Sequence, residues 1–215
     1  RRYACARDAA DRAGGLRLTL TPEIGPRTAR MLLAAFGLPD AIFAAGRASL
    51  ARHLPEPLAA ALAAPATAAV AAALRAAERW LELDPANTLL TLADDDYPPL
   101  LLATADPPPA LFAVGRRELL RRPALAIVGS RSATQQGAAN AEAFAQHLAR
   151  AGLTIVSGLA RGIDAAAHRG ALSAGGRTLA VLGSGVLCVY PPEHAALAES
   201  IVAQGAVVSE APPRA

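Results

Sequence analysis

The chain has 215 residues, a formal net charge of +3, 53% hydrophobic and 18% charged residues, and two cysteines. No run of about 18 apolar residues escapes interruption by Arg, Glu, Gly or Pro, and residues 1–12 mix Arg with Asp, so neither a membrane span nor a secretory signal is expected. Cys5 and Cys188 lie far apart with no His pair beside them, which argues against a disulfide framework or a zinc site, and the chain reads as cytoplasmic.

All 21 basic residues are Arg. Each is a permanent planar cation suited to phosphate, and no Lys is available for Schiff-base chemistry. The sequence is also rich in Ala, so this usage reads first as compositional bias.

Residues 1–84 read as a small helical domain. Residues 16–20 run into Thr21-Pro22-Glu23-Ile24, which predicts an N-cap at Thr21 with Pro at the first helical position. Residues 28–36 carry apolar side chains at Ala29, Met31, Leu32, Leu33 and Phe36 and stop at Gly37. Residues 41–45, 48–54 and 57–83 supply two short helices and one long one. Ile24-Gly25-Pro26 has the outline of a helix-hairpin-helix turn. Glu23 stands where that motif has Gly and would repel a phosphate, so the hairpin reads as structural.

Residues 85–123 change character. A short β-like run at 88–92, the Asp94-Asp95-Asp96-Tyr97-Pro98-Pro99 loop and Pro107-Pro108-Pro109 precede a second strand candidate at 110–114. Proline holds such backbone extended, so this segment reads as a linker with edge strands. The Arg run at 116, 117, 121 and 122 reads as a solvated face.

From residue 124 the rhythm is strand, loop, helix. Strands are predicted at 125–128, 154–156, 178–182 and 206–208, with helices at 138–151, 163–174 and 193–203. This alternation predicts an α/β class: a Rossmann-like, mostly parallel sheet with helices on both faces, over residues 124–215. Three strands end in small Gly turns, Gly129-Ser130-Arg131, Ser157-Gly158-Leu159-Ala160-Arg161-Gly162 and Gly183-Ser184-Gly185, which fall on one edge of a parallel sheet. Glycine admits close backbone approach and a helix N-terminus offers free N–H groups, so this edge reads as a phosphate-binding face.

The loops do not fit a dinucleotide fingerprint. Gly183-Ser184-Gly185 lacks the third Gly, Gly129-Ser130-Arg131 lacks the second, and a P-loop is impossible without Lys. No cofactor or metal is expected. Asp164 and His168 share a helix face, but the favoured reading is that Asp164 holds loop N–H groups and His168 is packed. Glu210 is expected to tie a loop, and Ser130 and Ser157 would be nucleophiles only with a base beside them. The residues themselves thus single out no catalytic set.

Taken together, several blocks resemble the DNA-processing protein A family (DprA, also called Smf). They are Val128-Gly129-Ser130-Arg131 with Thr134 and Gly137, then Ser157-Gly158-Leu159-Ala160-Arg161-Gly162-Ile163-Asp164 with Ala167-His168-Arg169-Gly170-Ala171-Leu172. Asp96-Tyr97-Pro98 with Leu111-Phe112 and Gly115, Ala180-Val181-Leu182-Gly183-Ser184-Gly185 with Tyr190-Pro191, and Ser209-Glu210 with Pro212 agree in order.

The resemblance implies a sterile-alpha-motif-like helical domain before the Rossmann-like one. It also implies no enzyme activity but binding of single-stranded DNA, loading of the RecA recombinase onto it in natural transformation, and a homodimer through the Rossmann-like domain. Carried over by motif, the DNA-facing residues are Gly129, Ser130, Arg131, Ser157, Gly158, Arg161, Gly162, Gly183, Ser184 and Gly185. Leu187 stands where the family has Asp, and His194 where it has Asn. The family continues past Ser209-Glu210 with an Arg-Asn-Arg block and further strands, so the Rossmann-like domain is expected to be cut short at its C-terminus.

Contact with three to five phosphates would give a log–log salt slope of about −2 to −3.5, with aromatic rings adding little. The alternative from related architecture is a nucleotide-binding protein or nucleoside-monophosphate hydrolase of the lysine-decarboxylase-like group. Its P-G-G-x-G-T-x-x-E block is missing, and Ala174-Gly175-Gly176-Arg177 is the nearest approach. A recombinase-binding scaffold with purely structural Gly loops is the third reading.

Overall fold

The computed structural model describes residues 12–92 and 94–214. Cys5 and most of the Arg/Asp-mixed beginning lie outside them. The chain divides into two units, one formed by the described residues up to Trp80 with Leu89–Ala110, the other by Leu81–Thr88 and the residues from Leu111 onward.

The first unit is built from short helices. A first helix, α1, covers residues 12–20, followed by α2 (Pro26–Phe36), α3 (Pro39–Ala44), α4 (Arg47–Leu50), α5 (Glu56–Ala63) and α6 (Ala68–Leu83). Leu18, Leu32, Ile42, Leu50 and Leu62 form its buried core. The N-cap expected at Thr21 is not there. The Thr21 hydroxyl instead donates 2.8 Å back to the Arg17 carbonyl at the end of α1. The chain then turns through Glu23 at φ +66° and starts α2 on Pro26, with Gly25 as N-cap residue. Proline does mark the first turn, four residues later than expected.

The long helix expected over 57–83 is also two helices. Pro65 has no N–H to donate and forces its predecessor into extended backbone, and Ala64 accordingly sits at ψ 157°. The Thr67 side chain restarts the helix by accepting the Val70 N–H at 3.3 Å. Residues 89–110 cluster with these helices. They hold a one-turn helix, α7 (Pro99–Leu102), and Arg30 of α2 donates to the carbonyls of Thr104 and Ala105 at 2.9 and 2.5 Å.

The sheet comprises β1 (Asn87–Thr91), which begins in the second unit, β2 (Ala110–Gly115), β3 (Ala124–Ala126), β4 (Thr154–Ser157), β5 (Thr178–Leu182) and β6 (Ala206–Ser209). Its order is β1-β2-β6-β5-β4-β3. The neighbours β3–β4, β4–β5 and β5–β6 are parallel, and β2 runs antiparallel to β6. Helices α8 (Gln135–Arg150), α9 (Ile163–Ser173) and α10 (Ala195–Gln204) make the crossovers.

The α/β class and the mostly parallel sheet are as expected; the two-sided helical cover is not. Each crossover adds its strand on the same side of the last, so right-handed connections bring all three helices to one face. Ile155 points to that face and packs with Ala145 and Ala149 of α8 and Ala167 and Ala171 of α9. Its neighbour Val156 points the other way and meets Leu119 and Leu120 of a 3-10 turn, Arg117–Arg121, with Leu179 and Ala206. Small residues let α8 and α9 approach closely. A Cβ at Gly170 would stand 2.2 Å from the Glu142 carbonyl oxygen.

Among the described residues no single helix is long and apolar enough to cross a membrane.

Candidate nucleic-acid interface

Parallel strands place the loops after β3, β4 and β5 on one sheet edge, and the first two are stitched together. The Ile163 N–H, at the start of α9, donates to the Ser130 carbonyl at 3.2 Å. Gly162 sits at φ +75°, and a Cβ there would fall 2.2 Å from the same Ser130 oxygen. This glycine is therefore required both by backbone conformation and by the approach of the first loop. Gly129 is fixed by packing, since a Cβ would lie 2.7 Å from the Ile163 side chain. Thr134 ends the first loop by accepting the Gly137 N–H at 3.0 Å, which caps α8.

The three loops enclose an open cleft of about 460 Å³. Of the ten residues expected to face DNA, Arg131, Gly158, Arg161, Gly183 and Ser184 line it. The other five are outside the lining, and for four of them the packing gives the reason. Ser157 is buried, with its hydroxyl given to the Ile127 carbonyl at 2.6 Å. Gly185 is buried beneath the final segment, where a Cβ would fall 2.0 Å from the Pro212 carbonyl oxygen. Gly129 and Gly162 do the stitching described above. Ser130 is exposed beside the cleft, and its Oγ accepts the Ser132 N–H at 3.1 Å.

Ser184 reaches the cleft, but its hydroxyl closes its own loop by donating to the Cys188 carbonyl at 2.6 Å. Its carbonyl accepts the Ser209 hydroxyl at 2.8 Å. Ser209, rather than the exposed Glu210 expected in that role, therefore ties the end of β6 to this loop.

Asp164 alters the electrostatics of the second loop. It is buried in the first turn of α9, and its Oδ2 accepts the N–H groups of Gly158 at 3.2 Å and Ala160 at 3.4 Å. A carboxylate of the chain itself thus holds two amides of this loop that could otherwise receive an anion from outside. His168, one turn on, is fully buried, with Nδ1 2.7 Å from Thr178 Oγ1. The Thr178 hydroxyl donates to the Ile155 carbonyl at 2.8 Å, which assigns the imidazole proton to Nδ1. Burial, with His194 adding to it and Asp164 opposing, pushes the His168 pKa down to about 4. Neither group lines the cleft.

The cationic character of the cleft therefore rests on two guanidiniums. Arg131 has no hydrogen-bond or ionic partner among the described residues, whereas Arg161 Nε donates to Glu193 Oε1 at 2.5 Å. Sequence reasoning missed Tyr190, whose ring is 70% exposed on the cleft wall next to Pro191. The low aromatic content argued against a ring here, and only the Tyr-Pro pair following the third Gly loop signalled it.

The family model for DNA recombination-mediator protein A matches residues 88–215. Protein Smf of Escherichia coli (strain K12) is 47% identical over 134 residues, covering 62% of this chain and 36% of that protein. DNA processing protein DprA of Streptococcus pneumoniae is 40% identical over 141 residues, covering 62% of this chain and 50% of that one. The X-ray structure of DNA processing protein A from Streptococcus pneumoniae superimposes with a TM-score of 0.63 at 31% identity, covering 91% of this chain and 65% of that one. The chain thus spans about a third to a half of the length of the curated relatives it matches.

Proposed function

Because the chain belongs to the family of DNA recombination-mediator protein A, we propose that it binds single-stranded DNA in the cleft at the carboxyl ends of β3, β4 and β5. The observation that carries this reading is that Arg131 and Arg161, from different loops, line one open cleft together with the exposed ring of Tyr190. Guanidinium forks pair with phosphate oxygens in two parallel hydrogen bonds, and an exposed ring offers a stacking face to an unpaired base. Gly183 is exposed, and a Cβ there would meet nothing within 4 Å, so a sugar–phosphate chain has room to pass.

The loop amides take a smaller part than the glycines suggested, since Asp164 holds two of them. Two guanidiniums also imply fewer neutralised phosphates than the three to five expected. None of this chemistry reads base edges, so binding is sequence-tolerant. Asp164 and His168 are engaged inside the unit, which supports a binding protein over a nucleotide hydrolase.

Fluorescence anisotropy with oligo(dT), a mixed-sequence strand and a duplex of equal length tests the assignment. Both single strands should bind alike and more tightly than the duplex. Arg131→Ala should weaken both by about tenfold or more, the scale of a lost charged hydrogen-bond pair. Duplex preference, or unchanged affinity in the variant, overturns it.

Loading of the RecA recombinase onto the bound strand in natural transformation, and pairing of two copies through the second unit, complete the reading. The resemblance of the motif blocks supports both. Recombinase filament assembly on strands coated with single-strand-binding protein tests the first, and sedimentation equilibrium tests the second.

A further inference from the structure

The two cleft arginines differ in one respect. Arg131 is unpaired among the described residues, whereas Arg161 already holds a carboxylate, that of Glu193, through Nε. Glu193 is not a loosely placed neighbour. It lies on the 3-10 turn Pro192–His194, directly after Tyr190 and Pro191 of the cleft wall. The next residue, His194, has Nδ1 2.8 Å from the carbonyl of Leu159, two positions before Arg161 in the same loop. The turn that carries the carboxylate is thereby pinned to the loop that carries the guanidinium. Each partner favours the charged state of the other: the carboxyl is held below its ordinary range and the guanidinium above its own.

We propose that Glu193 is a chain-length filter, an internal stand-in for phosphate that denies Arg161 to free nucleotides and yields it to a strand already anchored at Arg131. The proposal rests on the single-strand reading above and concerns what that site rejects. Both side chains are half-exposed, at 64% and 50%, so the pair is of the weak, displaceable kind. A free mononucleotide must displace the carboxylate at its own bulk concentration and then remain beside its charge. A phosphate tethered to one bound at Arg131 arrives at a far higher effective concentration and makes the same exchange as an intramolecular step. A cell is crowded with small phosphates, so a cleft of two bare guanidiniums would be occupied by them.

The experiment measures binding of labelled oligo(dT) and its displacement by dTMP and by inorganic phosphate, for the wild type, Glu193→Gln and Glu193→Ala. Gln keeps an oxygen for Arg161 and loses the charge. Removing the like charge should raise dTMP affinity about five- to tenfold in both variants and oligo(dT) affinity by less, so that the ratio between the two narrows. An unchanged ratio in both variants overturns the filter. So does loss of oligo(dT) affinity in Glu193→Ala that Glu193→Gln restores, because Glu193 would then only orient Arg161. If the wild type does not bind oligo(dT), the single-strand reading itself fails, an outcome separate from both.

Discussion

His168 shows how a polar residue within the central sequence block serves the fold rather than the surface. Its ring is fully buried, Nε2 makes no hydrogen bond within normal geometry among the described residues, and the neutral form is strongly favoured, with a pKa near 4. The unfolded chain takes up a proton on this residue near pH 6.5, and the folded chain only near 4. Its contribution is therefore fully present above about pH 6.5 and is lost as the pH falls, by about 1.4 kcal/mol per unit down to about 4. Urea unfolding should show a lower midpoint at pH 5 than at pH 7, with the difference removed in His168→Gln. An equal pH dependence in the variant would assign the effect elsewhere.

Also at the residue scale, Tyr190→Ala should lower oligo(dT) affinity by about five- to tenfold or more, the range of one base–ring stack, while Tyr190→Phe retains it. Equal binding by the two variants would remove the ring from the site. The sequence singled out the loops that line the cleft but not which atoms face outward. Ser157 and Gly185 belong to the same small-residue turns as Gly158 and Gly183, and only the packed neighbours, Ile127 in one case and Pro212 in the other, show that they face inward.

Among elements, the pairing of α8 with α9 positions the cleft, because α8 follows the Arg131 loop and α9 follows the Arg161 loop. Gly170 lets them meet, and Gly170→Ala would drive a methyl group into the Glu142 carbonyl. This overpacking should destabilise the second unit by about 1–3 kcal/mol, read as a lower thermal midpoint. An unchanged midpoint would show that α8 can shift at little cost.

Strands β4, β5 and β6 and helix α9 were legible almost residue for residue, since short apolar runs bounded by Gly turns leave few alternatives. The helical array was less so. Ala and Leu recur through residues 57–83 without a clear period, so the break depends on Pro65 alone. Two prolines, Pro22 and Pro26, compete for the start of α2, and the Thr21 hydroxyl resolves the choice by turning back to Arg17.

At the scale of the whole chain, the order of strands could be inferred as parallel but not as sequential. Placing each new strand beside the last puts the helices on one face and leaves Val181 of β5 47% exposed, beyond the reach of the Leu119–Leu120 turn. Apolar strand patterns alone do not distinguish one covered face from two. The sheet edge carrying the Gly loops was nonetheless correctly anticipated, because parallel βαβ order fixes it whatever the strand sequence.

The central claim is that two guanidiniums on that edge hold the phosphates of an unpaired strand, and the salt dependence of oligo(dT) binding tests it most directly. Two neutralised phosphates predict a log–log slope of about −1.4 for the wild-type cleft, shallower by about 0.7 in Arg131→Ala. An affinity indifferent to salt, or a slope that the substitution leaves unchanged, would contradict it.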